Sequence, residues 1–176
     1  MNTSPLLPGR LGKPDLDIRD DPRADPRMIA AMGPIGLDVA PPPSPVTGAT
    51  PIAELVEYML LAEAGFEMLG GMLTANTPPT AGVSSYEETI TGVDGNDITL
   101  FIHRPDTANG LMPCVVHTHG GGMAILSATG ESYIRWRDDL AATGMVVVGV
   151  EFRNAGGKLG PHPFPAGLND CVCATQ

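Results

Sequence analysis

The spacing of apolar and polar residues changes several times along this chain, and each change marks an element. From residue 50 to 73, Ile52, Leu55, Val56, Met59, Leu60, Phe66, Leu69, Met72 and Leu73 recur at three- and four-residue intervals. Glu54, Glu57, Glu63 and Glu67 fill much of the remainder, which predicts an amphipathic helix with its apolar face in the core and its glutamates in solvent. Thr50 suits the cap, Pro51 the first turn, and Gly70-Gly71 the fraying end.

Beyond the turn-rich "TANTPPTAG" the period falls to two. "SYEETITGV" and "DITLFIHRP" alternate as strands do, and "DGND" between them signals a hairpin. "MPCVVHTHG" is a short apolar run of the kind found in strands covered on both faces. "GESYIRWRDDLAATG" predicts a helix with Tyr133, Trp136 and Leu140 on one side and Gly144 at its end. "MVVVGVEF" reads as a second buried strand, and "FPAGLNDCVCATQ" opens another helix. Two apolar strands joined by a helical crossover form a parallel unit, so the expected class is α/β. Two parallel strands and a hairpin leave one sheet edge open, and the pattern reads as the first half of a larger domain.

Ten of the 18 prolines precede residue 51, so the N-terminal segment reads as an extended arm, with a disordered leader over residues 1–20 as the alternative. "DPRADPRMIAAMG" could hold one short helix, capped by Asp25, begun by Pro26 and stopped by Gly33.

Composition narrows the function. A chain of 176 residues with 43% hydrophobic positions fits one domain. Its formal net charge of −10 opposes a nucleic-acid partner, whose phosphates it would repel. No apolar run reaches the roughly 18 residues that a membrane span requires, and the N-terminus lacks the pattern of a signal peptide. Cys114, Cys171 and Cys173 make an odd count without framework spacing and read as reduced thiols in a cytoplasmic protein. Cys171-x-Cys173 has no second Cys or His pair to complete a metal site.

The candidate chemistry lies in "HTHGGGM", residues 117–123. A dinucleotide cradle requires G-x-G-x-x-G opening directly into a helix, but Ile125 stands where the third glycine would fall. His117 and His119 are two apart on a strand and emerge on one face, as a metal pair would, yet His103, Glu151 and His162 share no ligand spacing with them. A histidine held by backbone hydrogen bonds at a strand end is the plainer reading of His117. An oxyanion hole accounts for more residues. Acyl transfer places negative charge on a carbonyl oxygen, which fixed N–H donors stabilise, and glycines let substrate approach the backbone closely. An HGGG loop after a strand is the pattern found in lipase and esterase oxyanion holes.

"HTHGGGM" followed by "VVVGVEFRNAGGKLGPHPFPAGLNDC" resembles the hormone-sensitive-lipase-type family of bacterial carboxylesterases. The resemblance implies the N-terminal part of an α/β-hydrolase fold, a mostly parallel sheet with an antiparallel first hairpin, preceded by a helical cap. It places the arm and cap in residues 1–80 and the first half of the hydrolase domain in 81–176. It implies that Gly121 and Gly122 supply oxyanion-hole N–H groups, that His119 braces the loop, and that Met123 faces the acyl pocket. Arg153 and Asp170 would form a structural ion pair, and His162 would belong to a structural segment rather than act as the base. Met123 stands where the family often has an aromatic residue, and Phe152 where it often has Tyr. The loop between Arg153 and His162 is also longer than the common form, so acyl preference stays open.

The resemblance implies a small-molecule ester substrate and no cofactor, metal, nucleic acid or membrane. Its chemistry is a serine acyl-enzyme, yet Ser4, Ser44, Ser84, Ser85, Ser127 and Ser132 include none on a G-x-S-x-G elbow. Nucleophile, acid and base are therefore expected beyond Gln176, and these 176 residues alone are expected to be inactive. The alternatives are a non-catalytic fragment or pseudoenzyme, pairing as a homo-oligomer or with a complementary C-terminal half, and a metal-dependent hydrolase using His117 and His119.

Overall fold

The computed structural model describes residues 11–13 and 15–176. Residues 1–10, which hold half of the expected leader, lie outside the described residues. The chain forms two compact units, the first ending at Thr47 and the second running from Gly48 to Gln176.

In the first unit, α1 spans Pro26–Met32 with Asp25 at its cap, Pro26 at its first position and Gly33 after its last residue. The Asp25 carboxylate accepts the Arg27 N–H at 2.8 Å, satisfying one of the donors that a helix start leaves open. Arg19 reaches the largely buried Asp38 carboxylate at 2.9 Å.

The second unit is a four-stranded sheet between helices. Strands β1 (Val83–Thr91) and β2 (Asp97–Pro105) form the expected hairpin, in a register that pairs Thr91 with Asp97 and Val83 with Pro105. Strand β3 spans Cys114–Thr118 and β4 spans Val146–Glu151, in the spatial order β1-β2-β4-β3. Only β3 and β4 pair in parallel, because the hairpin contributes both antiparallel pairings. Sheet parity divides the residues between two faces. Ile98, Leu100, Val150 and Phe152 face helix α4 (Ala166–Ala174) and form the core with Cys171. Phe101, His103, Val147, Gly149 and His117 share the opposite face, under helix α3 (Glu131–Ala141).

Several local expectations change. Helix α2 runs Ile52–Thr74, and Pro51 rather than Thr50 holds the cap position. Gly70-Gly71 does not fray the helix. Gly70 is buried where a Cβ would lie 3.3 Å from the Ser132 hydroxyl, so the glycine permits α2 and α3 to approach closely.

The face of α2 is also rotated from the expected one. Ile52, Val56, Leu60, Phe66, Met72 and Leu73 are exposed, whereas Glu63 is 1% exposed. The surface under this helix consists of loops with backbone N–H groups to satisfy, and a carboxylate meets that need where an alkyl chain would not. Helix α3 departs similarly, with Arg137 fully buried and Trp136 half-exposed. Strand β3, expected to be covered on both faces, is an edge strand whose Val116 is exposed.

Candidate functional site

The glycine loop leaves the C-terminal end of β3. Gly121 (φ 110°) and Gly122 (φ 65°) lie in the left-handed region, where glycine is the favoured residue. The loop closes on itself, since the Gly121 carbonyl accepts the Ala124 and Ile125 N–H groups at 3.1 and 3.3 Å. A Cβ on Gly121 would lie 2.1 Å from the Ile125 carbonyl oxygen, whereas one on Gly122 would meet no atom within 4 Å. Gly121 is therefore required by the turn itself, while Gly122 faces open space. Among the described residues, neither glycine's N–H is donated to a protein acceptor. Two adjacent unpaired donors beside open space can receive a charged oxygen.

His119 follows β3 directly and is buried. Its ring stacks on Phe152 with centroids 4.1 Å apart and planes 7° apart, and its Nδ1 lies 2.8 Å from the Gly120 carbonyl. That contact requires a proton on Nδ1, so the imidazole donates to the loop. Burial lowers the His119 pKa, although the Gly120 carbonyl and Glu151 act against the fall. Its Nε2 is 3.6 Å from Glu151 Oε1, too far for a hydrogen bond. Glu151 is engaged elsewhere, accepting Ser127 Oγ at 2.5 Å and the Ala128 N–H at 3.1 Å. Met123 follows the glycines at φ 57° and is exposed.

The loop after β4 runs alongside the glycine loop and joins it. Ala155 and Gly156 N–H groups donate to the Met123 and Ala124 carbonyls at 2.9 and 3.0 Å. The Asn154 amide donates to the Leu126 carbonyl at 2.6 Å, while the Leu126 N–H donates to Glu63 at 2.7 Å. Leu126 itself is held at φ 74°, a conformation costing a non-glycine residue about 1–3 kcal/mol. Glycines in "NAGGKLG" follow from the pressure of α2 on this loop. A Cβ on Gly156 would lie 2.5 Å from Met59 Cε, and one on Gly157 would lie 2.8 Å from the Glu63 carboxylate.

Arg153 and Asp170 meet farther along. Arg153 Nη2 is 2.8 Å from Asp170, whose other oxygen accepts the Arg153 N–H at 2.9 Å. Asn96 in the β1–β2 turn donates to the same carboxylate at 3.1 Å, and Asp94 pairs with Arg153 at 2.6 Å. Burial alone would raise the Asp170 pKa, but hydrogen bonds from Arg153 and Asn96 outweigh it and hold the group below the ordinary value. His162 is exposed at the end of this loop, its N–H donating to the Asn154 carbonyl at 2.8 Å.

Beneath α3, Arg137 donates from Nε to His103 Nε2 at 2.8 Å and from Nη2 to the Ala128 carbonyl at 2.8 Å. The first bond leaves His103 protonated on Nδ1, which lies 2.6 Å from Asp138. The guanidinium fits because β4 has glycine beneath it, where a Cβ on Gly149 would approach to 2.8 Å. Burial first, then the Arg137 charge and His119, lower the His117 pKa to about 4. His117 instead packs against Trp136, with ring centroids 4.7 Å apart. Among the described residues, no three His, Cys, Asp or Glu side chains gather as a metal site would require.

Glu63, Arg137 and Asn154 went unrecognised in the sequence. The signals present were indirect: a glycine within the β-branched run "VVVGV" marks a close approach, as do paired glycines in a long loop. No signal set Glu63 apart from the other glutamates of α2.

The mixed sheet with α3 and α4 on opposite faces, the hairpin, and the glycine loop after β3 define an incomplete α/β-hydrolase fold. The chain matches the N-terminal portion of several solved esterases. In particular it is similar to brefeldin A esterase, a bacterial homologue of human hormone sensitive lipase, with 41% identity over 96% of this chain and a TM-score of 0.85. The esterase Est22 matches 89% of the chain with 33% identity and a TM-score of 0.71. A bacterial heroin esterase matches 85% with 28% identity and a TM-score of 0.63. The chain spans about half the length of each: 47% of brefeldin A esterase, 46% of Est22 and 41% of heroin esterase. No protein-family profile and no curated protein sequence matches it. No helix among the described residues is long and apolar enough to cross a membrane.

Proposed function

We propose that these residues carry the oxyanion-binding part of a carboxylic ester hydrolase, with residues 1–80 as arm and cap and 81–176 as the first half of the catalytic domain. The observation that carries this reading is the pair of adjacent N–H groups at Gly121 and Gly122, neither donated to a protein acceptor among the described residues, with open space beside Gly122. As a serine attacks an ester carbonyl, charge collects on the carbonyl oxygen, and these two donors hold it without having to reorganise. His119 keeps the loop in shape through the Gly120 carbonyl and its stack on Phe152, and takes no part in proton transfer. Met123 borders the acyl group. Arg153 and Asp170 hold the loop after β4 against α4. The three unpaired cysteines agree with a reducing, cytoplasmic setting.

None of the serines stands in a G-x-S-x-G pattern, so this reading assigns these residues the oxyanion donors and no nucleophile. The 176-residue chain is expected to release no p-nitrophenol from a short-chain ester. A burst of release, with a serine-directed inhibitor attached to the chain, would contradict this. The complementary test fuses the chain to the remaining C-terminal part of brefeldin A esterase, of which it spans 47%. The fusion is expected to hydrolyse p-nitrophenyl butyrate, and a folded but inactive fusion would overturn the reading.

A further inference from the structure

Glu63 is the one charged side chain of α2 that is removed from water, and both of its oxygens are used on loops rather than on a cation. Oε1 accepts the Leu126 N–H at 2.7 Å, from the segment that closes the glycine loop. Oε2 accepts the Lys158 N–H at 2.8 Å, from the loop after β4. One carboxylate thus bridges two loops that also bond to each other between residues 123–124 and 155–156. Neighbouring side chains of α2 reinforce the contact. Met59 presses on Gly156, and Glu67 pairs with the Lys158 ammonium at 2.5 Å.

The geometry points to Glu63 as a positioning residue for the oxyanion loop. It couples the seating of the cap helix to the direction in which the Gly121 and Gly122 N–H groups point. The strained Leu126 lies at the centre of this coupling. Its N–H is held by Glu63 and its carbonyl by Asn154, so a non-glycine residue stays in the left-handed region only while both clamps are closed. In the two residues just before it, the Ile125 and Ala124 N–H groups close the turn on the Gly121 carbonyl. Release of Leu126 therefore loosens the turn that aims the donors. A carboxylate suits this place because it offers two acceptors and no donor, and both neighbours to be satisfied are N–H groups. The loop glycines agree with this assignment, since any side chain at Gly157 would displace the carboxylate.

The inference rests on reading Gly121 and Gly122 as oxyanion donors, but its test does not require catalysis. Amide exchange and chemical shifts in the 176-residue chain report each loop directly. In the unaltered chain the Leu126 and Lys158 amides should exchange slowly. Glu63→Ala should accelerate both at least about tenfold and shift or broaden the Gly121 and Gly122 amides, with exchange in β2 and β4 unchanged. Glu63→Gln retains one acceptor, so one of the two amides should keep its protection, and this milder variant serves if the alanine variant does not fold. Unmoved Gly121 and Gly122 amides, beside a deprotected Leu126, would overturn the coupling and leave Glu63 as a structural anchor only. Failure here leaves the esterase reading standing, and an inactive fusion leaves the coupling standing.

Discussion

Gly121 and Gly122 adjoin in sequence and share a backbone region, yet they are constrained for different reasons. At Gly121 an added methyl group would collide with the Ile125 carbonyl, and the chain itself would have to move. Gly121→Ala should cost more than the roughly 1–3 kcal/mol of left-handed strain alone, because the turn would open. At Gly122 only that strain applies, since the added Cβ would enter open space. Chemical denaturation of the two variants should rank them in this order. His117 offers a second prediction on the same scale. Its folded pKa of about 4 lies below the ordinary value of 6.5, so between these values the unfolded chain binds a proton that the folded chain refuses. The stabilisation is fully present above pH 6.5 and is lost as pH falls towards 4, with the lowered His103 and His119 contributing in the same direction. Melting temperatures across that window should show a smaller slope in His117→Asn than in the unaltered chain.

The elements were legible wherever their periodicity was strong. The hairpin, the parallel β3–β4 pair and the capped α1 follow from alternation, apolar runs and the Asp25-Pro26 signal. What escaped was the rotation of each helix about its axis. Sequence spacing treats every apolar stripe as the buried one, whereas α2 and α3 turn Glu63 and Arg137 inwards to meet unpaired backbone groups and a histidine. No local pattern encodes what lies opposite a helix, so these contacts could not be read from one segment. The junction of β4 and α4 gives a test at this scale. Asp170 is 1% exposed and gathers Arg153 and Asn96, while Arg153 keeps a second partner in Asp94 and some access to water. Breaking a buried pair costs about 3–5 kcal/mol, and the partial exposure of Arg153 reduces that, so Asp170→Ala should lose about 2–3 kcal/mol. Equilibrium urea unfolding measures it, and Asp94→Ala should lose less than half as much because that pair is exposed.

At the scale of the second unit, the sheet sets the plan and the loops following β3 and β4 hold the proposed site. The core of Ile98, Leu100, Val150, Phe152 and Cys171 fixes β2, β4 and α4, and Phe152 also supports His119 by stacking. From that platform two glycine-rich loops join each other, α2 closes over them, and two N–H groups are left without an acceptor. The class of fold was readable because the succession of its elements along the chain and the HGGG loop are local in sequence. The position of α2 was not, because it depends on contacts made across 63 and 95 residues, from Glu63 to Leu126 and from Glu63 to Lys158.

Whether Gly121 and Gly122 form an oxyanion hole is decided most cleanly at Gly122, where an added Cβ meets no atom and the cost to stability is the smaller. The measurement is kcat and KM for p-nitrophenyl butyrate in the active fusion, with and without Gly122→Ala. A methyl group at Gly122, by straining the backbone that carries one of the two donors, should lower kcat roughly 100-fold through misplacement, while the variant still melts cooperatively. Unchanged kcat in a variant that shows only the expected loss of stability would contradict a role for these glycines as oxyanion donors.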